Sequence, residues 1–343
     1  MGARLQGLQG FSFKPRGVAR QAEVSLYNLS PARRYRAASR ASAVPLMPVA
    51  SASNSYSILP KRCPGINLTP NMTLPRRWPV TGYPPAFKAS AVWHAAALAG
   101  CVTLPAAWPW WLAGTALNHA VVTAAGLWPR SSLLGPNWTQ LPATAANAQA
   151  LALTLDDGPD PDVTPRVLDL LDACAVRVTF FCIGGRAQRY PALVREMAAR
   201  GHAVENHSQR HVHTFSVTGM RSLAREIEAA QHTLADITGV RPAFFRAPAG
   251  LRNVLLEPVL QRLDLRLAAW TRRGFDTREG NPDLVAKRLL HGLAGRDILL
   301  LHDGNPALTE AGRPVLLDVL PRVIDAARAQ GLRFVTLREA AGF

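Results

Sequence analysis

Four clusters of acidic, histidine and arginine side chains stand out in the second half of this 343-residue chain. Asp156 and Asp157 are adjacent, and adjacent carboxylates repel each other unless a cation or a proton separates them. His207 and His211 are four residues apart, a spacing that on a helical turn projects both imidazoles to one side. With Asp157 they predict a two-histidine, one-carboxylate metal site with open positions for water and substrate. Such a site suits Zn²⁺, with Co²⁺, Ni²⁺ and Mn²⁺ as alternatives.

The other two clusters each follow an apolar run. Arg246 begins the sequence Arg-Ala-Pro-Ala-Gly, and His302 ends the run Leu-Leu-Leu-His and precedes Asp303. A histidine directly after an apolar strand is placed where a general acid would be partly desolvated and directed into a site. Each cluster alone has a structural alternative: a turn at Asp156, a solvent-exposed histidine pair, or a core histidine bonded to Asp303. The occurrence of all four clusters at the ends of predicted strands favours catalysis.

Short apolar runs alternate with amphipathic segments from residue 150 onward, which predicts an α/β fold with a parallel sheet. The predicted strands are Ala150–Leu155, Val178–Ile183, Ala203–Glu205, Ala243–Phe245, Arg266–Trp270, Ile298–His302 and Phe334–Thr336. The predicted helices are Pro165–Ala173, Pro191–Arg200, Thr218–Thr238, Val254–Leu263, Pro282–Leu293 and Pro314–Ala329. Seven predicted strands indicate a distorted (β/α)7 barrel. Barrels carry their reactive residues at the carboxyl ends of the strands, where all four clusters fall.

The net charge of +16 is unevenly distributed along the chain. Residues 1–88 carry 13 Lys and Arg and the single acid Glu23, whereas residues 151–343 carry 25 basic and 22 acidic residues. A DNA-binding fold would need its basic stripe on a folded face, so we expect no nucleic-acid partner. Residues 1–88 are rich in Arg, Ala, Ser and Pro, which predicts disorder; a targeting peptide and a translation start at Met72 are alternatives.

Residues 89–129 contain no Asp, Glu, Lys or Arg. Pro105 and Pro109 interrupt this apolar stretch, and tryptophans gather at the break and at the end, as they do at membrane interfaces. The pattern predicts a helical hairpin, Ala89–Leu104 and Trp110–Trp128, that anchors the chain in a membrane. A helical pair packed on the following domain is the alternative. The predicted organisation is a basic segment 1–88, an apolar hairpin 89–129, a linker 130–149 and a catalytic domain 150–343.

Four motifs occur in a fixed order along residues 150–340. They are Thr-Leu-Asp-Asp-Gly-Pro from Thr154 to Pro159, His-Ser-Gln-Arg-His from His207 to His211, Arg-Ala-Pro from Arg246 to Pro248, and Leu-Leu-Leu-His ending at His302. Together they resemble the motifs of the polysaccharide deacetylase family, which is carbohydrate esterase family 4 and carries the chitooligosaccharide deacetylase homology domain. The combination is far more specific than any single motif.

The resemblance implies a metal-dependent N-deacetylase on a distorted β/α barrel. In that family's scheme, Asp157, His207 and His211 hold the metal, which polarises the amide carbonyl and activates water. Asp156 would be the general base, and the positive charge of Arg246 would keep Asp156 ionised and oriented.

The same scheme implies that the backbone N–H of Ala249 stabilises the tetrahedral oxyanion and that His302 protonates the departing amine. The family often has Tyr where this chain has Ala249, so one wall of the sugar groove is missing. Its fourth motif commonly has two acids three apart after a Trp; here Trp270 is followed by Arg273 and Asp276, so only the second acid is present. Asp276 is therefore predicted to tune His302. The predicted substrate-contacting residues are Pro248, Ala249, Trp270 and Leu300.

The predicted function is hydrolysis of the N-acyl, in particular N-acetyl, group of an N-acylated sugar in a polysaccharide or oligosaccharide. An alternative is deacylation or deformylation of a lipid-linked sugar. A second alternative is a non-catalytic, membrane-tethered sugar-binding domain, which would be expected to lack Asp156 or a metal ligand. We expect the chain at a bacterial cytoplasmic membrane. Two crossings would leave the catalytic domain on the cytoplasmic face, and one crossing would place it outside.

Overall fold

Two antiparallel helices precede the catalytic domain in the computed structural model, which describes residues 82–343. Helix α1 spans Pro85–Thr103 and helix α2 spans Trp108–Leu127, joined by a 3₁₀ turn. Helix α1 begins earlier than the charge pattern predicts, because Pro85 suits a first helical turn and Lys88 is accommodated there. Among the described residues, no helix has both the length and the hydropathy of a membrane-crossing segment. Of residues 1–88, which were predicted to be disordered, residues 1–81 lie outside the described residues and residues 85–88 belong to helix α1.

The two helices contact each other through small residues and aromatic rings. The Trp111 ring lies where a side chain on Gly100 would be, and the Trp93 ring lies where a side chain on Gly114 would be. The Trp93 indole nitrogen also donates a hydrogen bond to Thr115 Oγ1 at 3.2 Å. Glycines thus allow the tryptophan rings to pack between the helices.

The catalytic domain is an α/β fold around one curled, parallel sheet. Its strands are β1 Ala150–Asp156, β2 Thr179–Cys182, β3 Ala203–Asn206, β4 Phe244–Phe245, β5 Arg266–Leu267, β6 Arg272–Arg273, β7 Ile298–His302 and β8 Arg333–Phe334. The strand order is β5-β4-β3-β2-β1-β7-β6, with β8 pairing the beginning of β1. The helices of this domain are α3 Thr164–Ala173, α4 Gly184–Arg189, α5 Pro191–Ala199, α6 Met220–Thr238, α7 Leu256–Arg262, α8 Pro282–Leu290, α9 Val315–Ala329 and α10 Leu337–Ala341.

The structure has one more strand than the seven predicted. Strand β6 consists of two arginines, and its Arg272 pairs with Leu299 of β7. Because it has no apolar pattern, the sequence did not predict it. The predicted strand Arg266–Trp270 is in fact a strand only at Arg266–Leu267. The chain leaves the sheet there and rejoins it at β6 along the other edge.

Strand β1 lies at the centre of the sheet and separates two apolar layers. Its Leu153 and Leu155 pack with the helices outside the sheet. Ala152, on the opposite face, packs in the interior of the curl with Phe181 and Leu300. Alternate β1 side chains therefore enter the interior, and this alternation directs Asp156 inward as well.

Residues 138–140 occupy the opening between β5 and β6, which are not neighbours in the strand order. Trp138 forms a parallel bridge with Ala268, and its carbonyl accepts the Ala269 N–H at 2.9 Å. Gln140 forms an antiparallel bridge with Asp297, just before β7. The segment predicted as a linker thus contacts both sides of the opening, and its Leu141 is fully buried.

Gly304 provides a test of the close contact between the ends of β1 and β7. A side chain at residue 304 would collide with the backbone of Asp157. We expect Gly304→Ala to lower the free energy of unfolding by about 1–3 kcal/mol, the usual cost of overpacking. Gly219→Ala is the matched control, because nothing lies within 4 Å of a side chain placed there. Equal free energies of unfolding for the two variants in denaturant titrations would contradict this packing.

Candidate active site

All four clusters identified in the sequence lie at the carboxyl edge of the sheet. Asp156 ends β1 and lies in register with His302, which ends the neighbouring strand β7. His207 directly follows β3, and Arg246 directly follows β4. Because parallel strands end at one edge, residues far apart in the sequence meet there.

Asp157 and the two histidines form a group that could hold a metal ion. Their ligand atoms all lie within 4.8 Å of one another. Asp157 Oδ1 lies 3.3 Å from Nε2 of both His207 and His211. Asp157 has a left-handed φ of 72°, which turns its carboxylate toward the histidines and away from the direction taken by Asp156.

The two histidines do not lie on a helical turn, which corrects the reasoning from their spacing. The chain from His207 to His211 is irregular, with left-handed φ values of 65° at Ser208 and 52° at His211. These two reversals bring the imidazole rings to 4.9 Å between centroids. The prediction that the histidines face one site is correct, but a loop achieves it. His213 is exposed and is not part of the group.

The hydrogen bonds and charges around this group fit a divalent cation. His207 Nδ1 lies 2.8 Å from the Arg246 carbonyl oxygen, which can only accept, so Nδ1 carries a proton and Nε2 is the ring nitrogen available to a metal. Asp157 Oδ1 is buried and has no hydrogen-bond partner within the described range 82–343. Burial raises the pKa of Asp157, but the nearby imidazoles, His207 foremost, hold it well below its usual range. Burial and the His207 charge lower the pKa of His211, which favours its neutral, ligating form.

Asp156 is bound by the buried guanidinium of Arg246. Arg246 Nη1 donates to Asp156 Oδ1 at 2.7 Å and to Thr154 Oγ1 at 2.7 Å. Its remaining bonds go to the carbonyl oxygens of Ala268 and Ala269. Asp156 Oδ2 lies 3.9 Å from His207 Nε2, beside the metal group. One oxygen of Asp156 is thus fixed, and the other is positioned to accept a proton from a water molecule.

His302 is held by Asp276 and not by the adjacent Asp303. His302 Nδ1 lies 2.9 Å from Asp276 Oδ1, and Asp276 Oδ2 accepts the His302 backbone N–H at 2.7 Å. Asp303 instead accepts a hydrogen bond from Thr164 Oγ1 at 2.6 Å. Burial lowers the pKa of His302, but the hydrogen bond and charge of Asp276 raise it more, so the net pKa is above the usual value. A protonated His302 is therefore stabilised where a general acid is needed.

The loop after β4 presents one backbone donor to the site. Ala249 is exposed and has a left-handed φ of 54°. Its N–H is bonded to no acceptor among residues 82–343, which leaves it free for an oxyanion. Pro248 beside it is buried. Trp270 is 7% exposed, and a side chain on Gly250 would meet its ring.

Leu300 does not line the site, contrary to the prediction. Its side chain is 1% exposed and lies in the interior apolar cluster with Phe181 and Trp270. Alternation along β7 explains this placement, because Leu300 is two residues before His302 and lies deeper in the same interior.

Sequence reasoning missed the residues that support Asp157. Asn305 Nδ2 donates to Asp157 Oδ2 at 3.2 Å. Arg186 in turn donates to Asn305 Oδ1 at 3.1 Å and to the Gly304 carbonyl at 2.7 Å. Asn305 follows the His302 motif by three residues, and only this proximity in the sequence could have indicated it. Nothing in the sequence around Arg186 indicates a role.

Comparison with known proteins gives consistent matches. A family model described as polysaccharide deacetylase matches residues 143–268. A peptidoglycan-N-acetylglucosamine deacetylase of Bacillus cereus is 31% identical over 195 residues, covering 56% of this chain and 88% of the relative. A chitooligosaccharide deacetylase of Azorhizobium caulinodans is 32% identical, covering 54% and 91%. The crystal structure of a peptidoglycan N-acetylglucosamine deacetylase superposes with a TM-score of 0.54 at 25% identity, covering 60% of this chain and 92% of that one.

The His302–Asp276 pair predicts a specific pH dependence. If His302 must be protonated, activity persists below its pKa and is lost as the pH rises through it. Asp276→Asn removes the carboxylate charge that raises this pKa, so the alkaline limb of kcat/KM should move to lower pH by about one unit or more.

The matched control is Asp236→Asn, an exposed carboxylate on α6. We expect the control to keep the wild-type pH profile. An alkaline limb that stays in place in Asp276→Asn would contradict the assignment of His302 as the acid.

Proposed function

Because the chain belongs to the polysaccharide deacetylase family, we propose that it is a metal-dependent hydrolase that removes the N-acetyl group from N-acetylated sugars in a polysaccharide or oligosaccharide. The observation that carries this proposal is the placement of three groups at one edge of the sheet. They are the metal-binding group Asp157, His207 and His211, the base Asp156, and the acid His302. We also infer that the curled sheet corresponds to the distorted (β/α)7 barrel of the family.

The residues of this chain divide the chemistry between them. A zinc ion held by Asp157, His207 and His211 would supply Lewis-acid activation of the amide carbonyl and of water. Asp156 takes the proton of the attacking water, with its other oxygen fixed by Arg246. The Ala249 N–H donates a hydrogen bond to the developing oxyanion. His302 then protonates the amine as the C–N bond breaks, and Asp276 stabilises the charged imidazole.

The names of the relatives support N-acetylglucosamine as the sugar. The matched proteins are described as acting on peptidoglycan N-acetylglucosamine and on chitooligosaccharides, and the chain covers about nine tenths of each of the two relatives compared above. We propose the same acetamido group as the target here. A neutral hexosamine oligomer such as tetra-N-acetylchitotetraose is therefore a suitable first substrate.

Two substitutions separate metal binding from proton transfer. Asp156→Asn should keep bound zinc, because Asp156 is not a member of the metal group, yet acetate release should fall about 100-fold to 10,000-fold for loss of the base. His207→Ala should lose both zinc and activity. Zinc retained after dialysis and acetate released from tetra-N-acetylchitotetraose, each with and without chelator, are the measurements.

Asp236→Asn serves again as the control for a changed carboxylate and should match the wild type in both measurements. Full activity in Asp156→Asn would refute the base assignment. Acetate release by the wild type that persists after complete removal of metal would refute the proposed mechanism.

We further infer that the α1–α2 hairpin lies against a bacterial cytoplasmic membrane. Its exposed surface is apolar near the helix–helix turn, where Val102 is 77% and Trp110 is 79% exposed. No charged side chain occurs from residue 89 to residue 129. Exposed tryptophans on an uncharged helical surface suit the interface between lipid headgroups and acyl chains.

Charge placed on this surface should release the chain from lipid. Trp110→Glu should reduce the fraction that sediments with phosphatidylcholine–phosphatidylglycerol vesicles by about 10-fold, because a charged side chain partitions poorly into lipid; this change corresponds to about 1.4 kcal/mol of membrane affinity. Val217→Glu is the matched control, because Val217 is also 79% exposed but lies on the catalytic domain. Equal sedimentation of Trp110→Glu and wild type would contradict membrane contact through the hairpin.

A further inference from the structure

A cavity of about 740 Å³ lies beside the active site. Its walls come from the end of the hairpin, from the segment that contains β6, and from α8. Five of its lining residues are Lys or Arg, and none is Asp or Glu. We refer to it as the cationic cavity.

Three of these cations have no acidic partner among residues 82–343. Arg272 is paired with Asp297 at 2.5 Å and Arg288 with Glu279 at 3.2 Å. The other three face no acidic side chain within ion-pair distance in the part of the chain from residue 82 onward; they are Arg130, Arg273 and Lys287. Uncompensated cations around one space attract an anionic ligand.

Arg273 contacts two aromatic rings that also line the cavity. Its guanidinium lies 5.5 Å from the centre of the Trp270 ring and 5.0 Å from that of Phe275. Its Nε is buried and has no hydrogen-bond partner in the part of the chain that the structure describes. A buried donor without an acceptor costs free energy, so this guanidinium has hydrogen-bonding capacity that residues 82–343 do not use.

The cationic cavity shares a wall with the proposed catalytic site. Phe275 has a left-handed φ of 60°, and the chain reversal there places its ring at the cavity. The next residue, Asp276, is fully buried and holds His302. Trp270, another cavity residue, packs near Gly250 in the loop after β4. Trp270 and the Phe275–Asp276 segment therefore connect the cavity wall to the proposed catalytic site.

The cavity also borders the apolar hairpin. Pro129 and Arg130 line it and directly follow α2. Leu127 and Trp128, the residues just before them, are each 60% exposed. An anion bound in the cavity thus has an exposed apolar surface beside it, and phosphate joined to a hydrocarbon chain matches both features.

We propose that the cationic cavity binds the phosphate or diphosphate of a lipid-linked N-acetylated sugar, with the lipid chain along the hairpin and the sugar at the metal group. This substrate class rests on the proposed deacetylase function. Arg273 and Lys287 supply the charge, while Arg130 contributes at the rim, where its Nη1 donates to the Thr271 carbonyl at 3.2 Å.

The test uses the full chain loaded with zinc and three substrates. They are N-acetylglucosamine joined through diphosphate to a farnesyl chain, the carboxylate-bearing disaccharide N-acetylglucosaminyl-N-acetylmuramic acid, and neutral tetra-N-acetylchitotetraose. We expect the highest kcat/KM for the farnesyl diphosphate sugar. In Arg273→Gln and in Lys287→Gln, its KM should rise about 10-fold, the effect of losing one charge-assisted hydrogen bond.

Two further variants guard against misfolding and general charge effects. Arg273→Lys keeps the charge and should restore most of the preference for the diphosphate sugar. Arg195→Gln removes an exposed cation on α5, away from the cavity, and should leave every substrate unaffected. Phospholipid headgroups are the other possible source of phosphate, and vesicle sedimentation of Arg273→Gln and Lys287→Gln tests them. If these variants sediment more weakly but keep the wild-type substrate preference, the cavity binds bulk phospholipid headgroups and the proposal is overturned.

The remaining outcomes are also decisive. Acetate release from tetra-N-acetylchitotetraose with no advantage for the diphosphate sugar overturns the cavity proposal and leaves the deacetylase function standing. A preference for the carboxylate-bearing disaccharide that depends on Arg273 overturns the assignment to phosphate. No acetate from any substrate overturns both proposals.

Discussion

The buried ion pair between Arg246 and Asp156 is the constraint on which the rest of the catalytic domain depends. Arg246 is 1% exposed and lies in the interior of the curled sheet, where an unpaired cation would be very costly. Its donors reach Asp156 on β1 and the carbonyl oxygens of Ala268 and Ala269, where the chain has left β5. The Phe181 ring lies 4.1 Å from the guanidinium and covers it. One side chain thus connects the central strand to the opening in the sheet and fixes the proposed catalytic base.

This arrangement makes the base a structural counter-ion as well. Removing one partner of a buried ion pair costs about 3–5 kcal/mol, because the other charge stays buried. A substitution at Asp156 must therefore keep an acceptor for Arg246, which asparagine does and alanine does not. On the neighbouring strand the charges are the other way round, since the His302 imidazole faces the carboxylate of Asp276. Asp156 faces a guanidinium and His302 faces a carboxylate, so two groups in register on adjacent strands have partners of opposite charge.

The position of these groups could be predicted from the sequence because the carboxyl ends of parallel strands lie at one edge of the sheet. Knowing that Asp156, His207, Arg246 and His302 each end or follow an apolar run was enough to place them together. The details that failed depend on backbone conformation that residue types do not encode. The left-handed φ of 65° at Ser208, which lets the two histidines converge from a loop, is an example.

Partners that come from distant parts of the chain were equally hidden. Asn305 contacts Asp157 across 148 residues, and Trp138 reaches the opening in the sheet from a segment that resembles a linker. Strand β6 consists of two arginines and is defined only by its pairing with β7. It has no apolar residue from which it could have been predicted. For His302, adjacency in the sequence suggested Asp303 and the family resemblance predicted Asp276; the structure agrees with the resemblance.

The segment from Trp270 to Asp276 shows how one stretch of chain can join catalysis to recognition. Its first residue packs against the interior of the sheet and its last residue holds the acid His302. Between them, Arg273 and Phe275 face the cationic cavity. Only Gly274 and Phe275 separate Arg273 from Asp276, so this one segment borders the cavity on one side and holds His302 on the other.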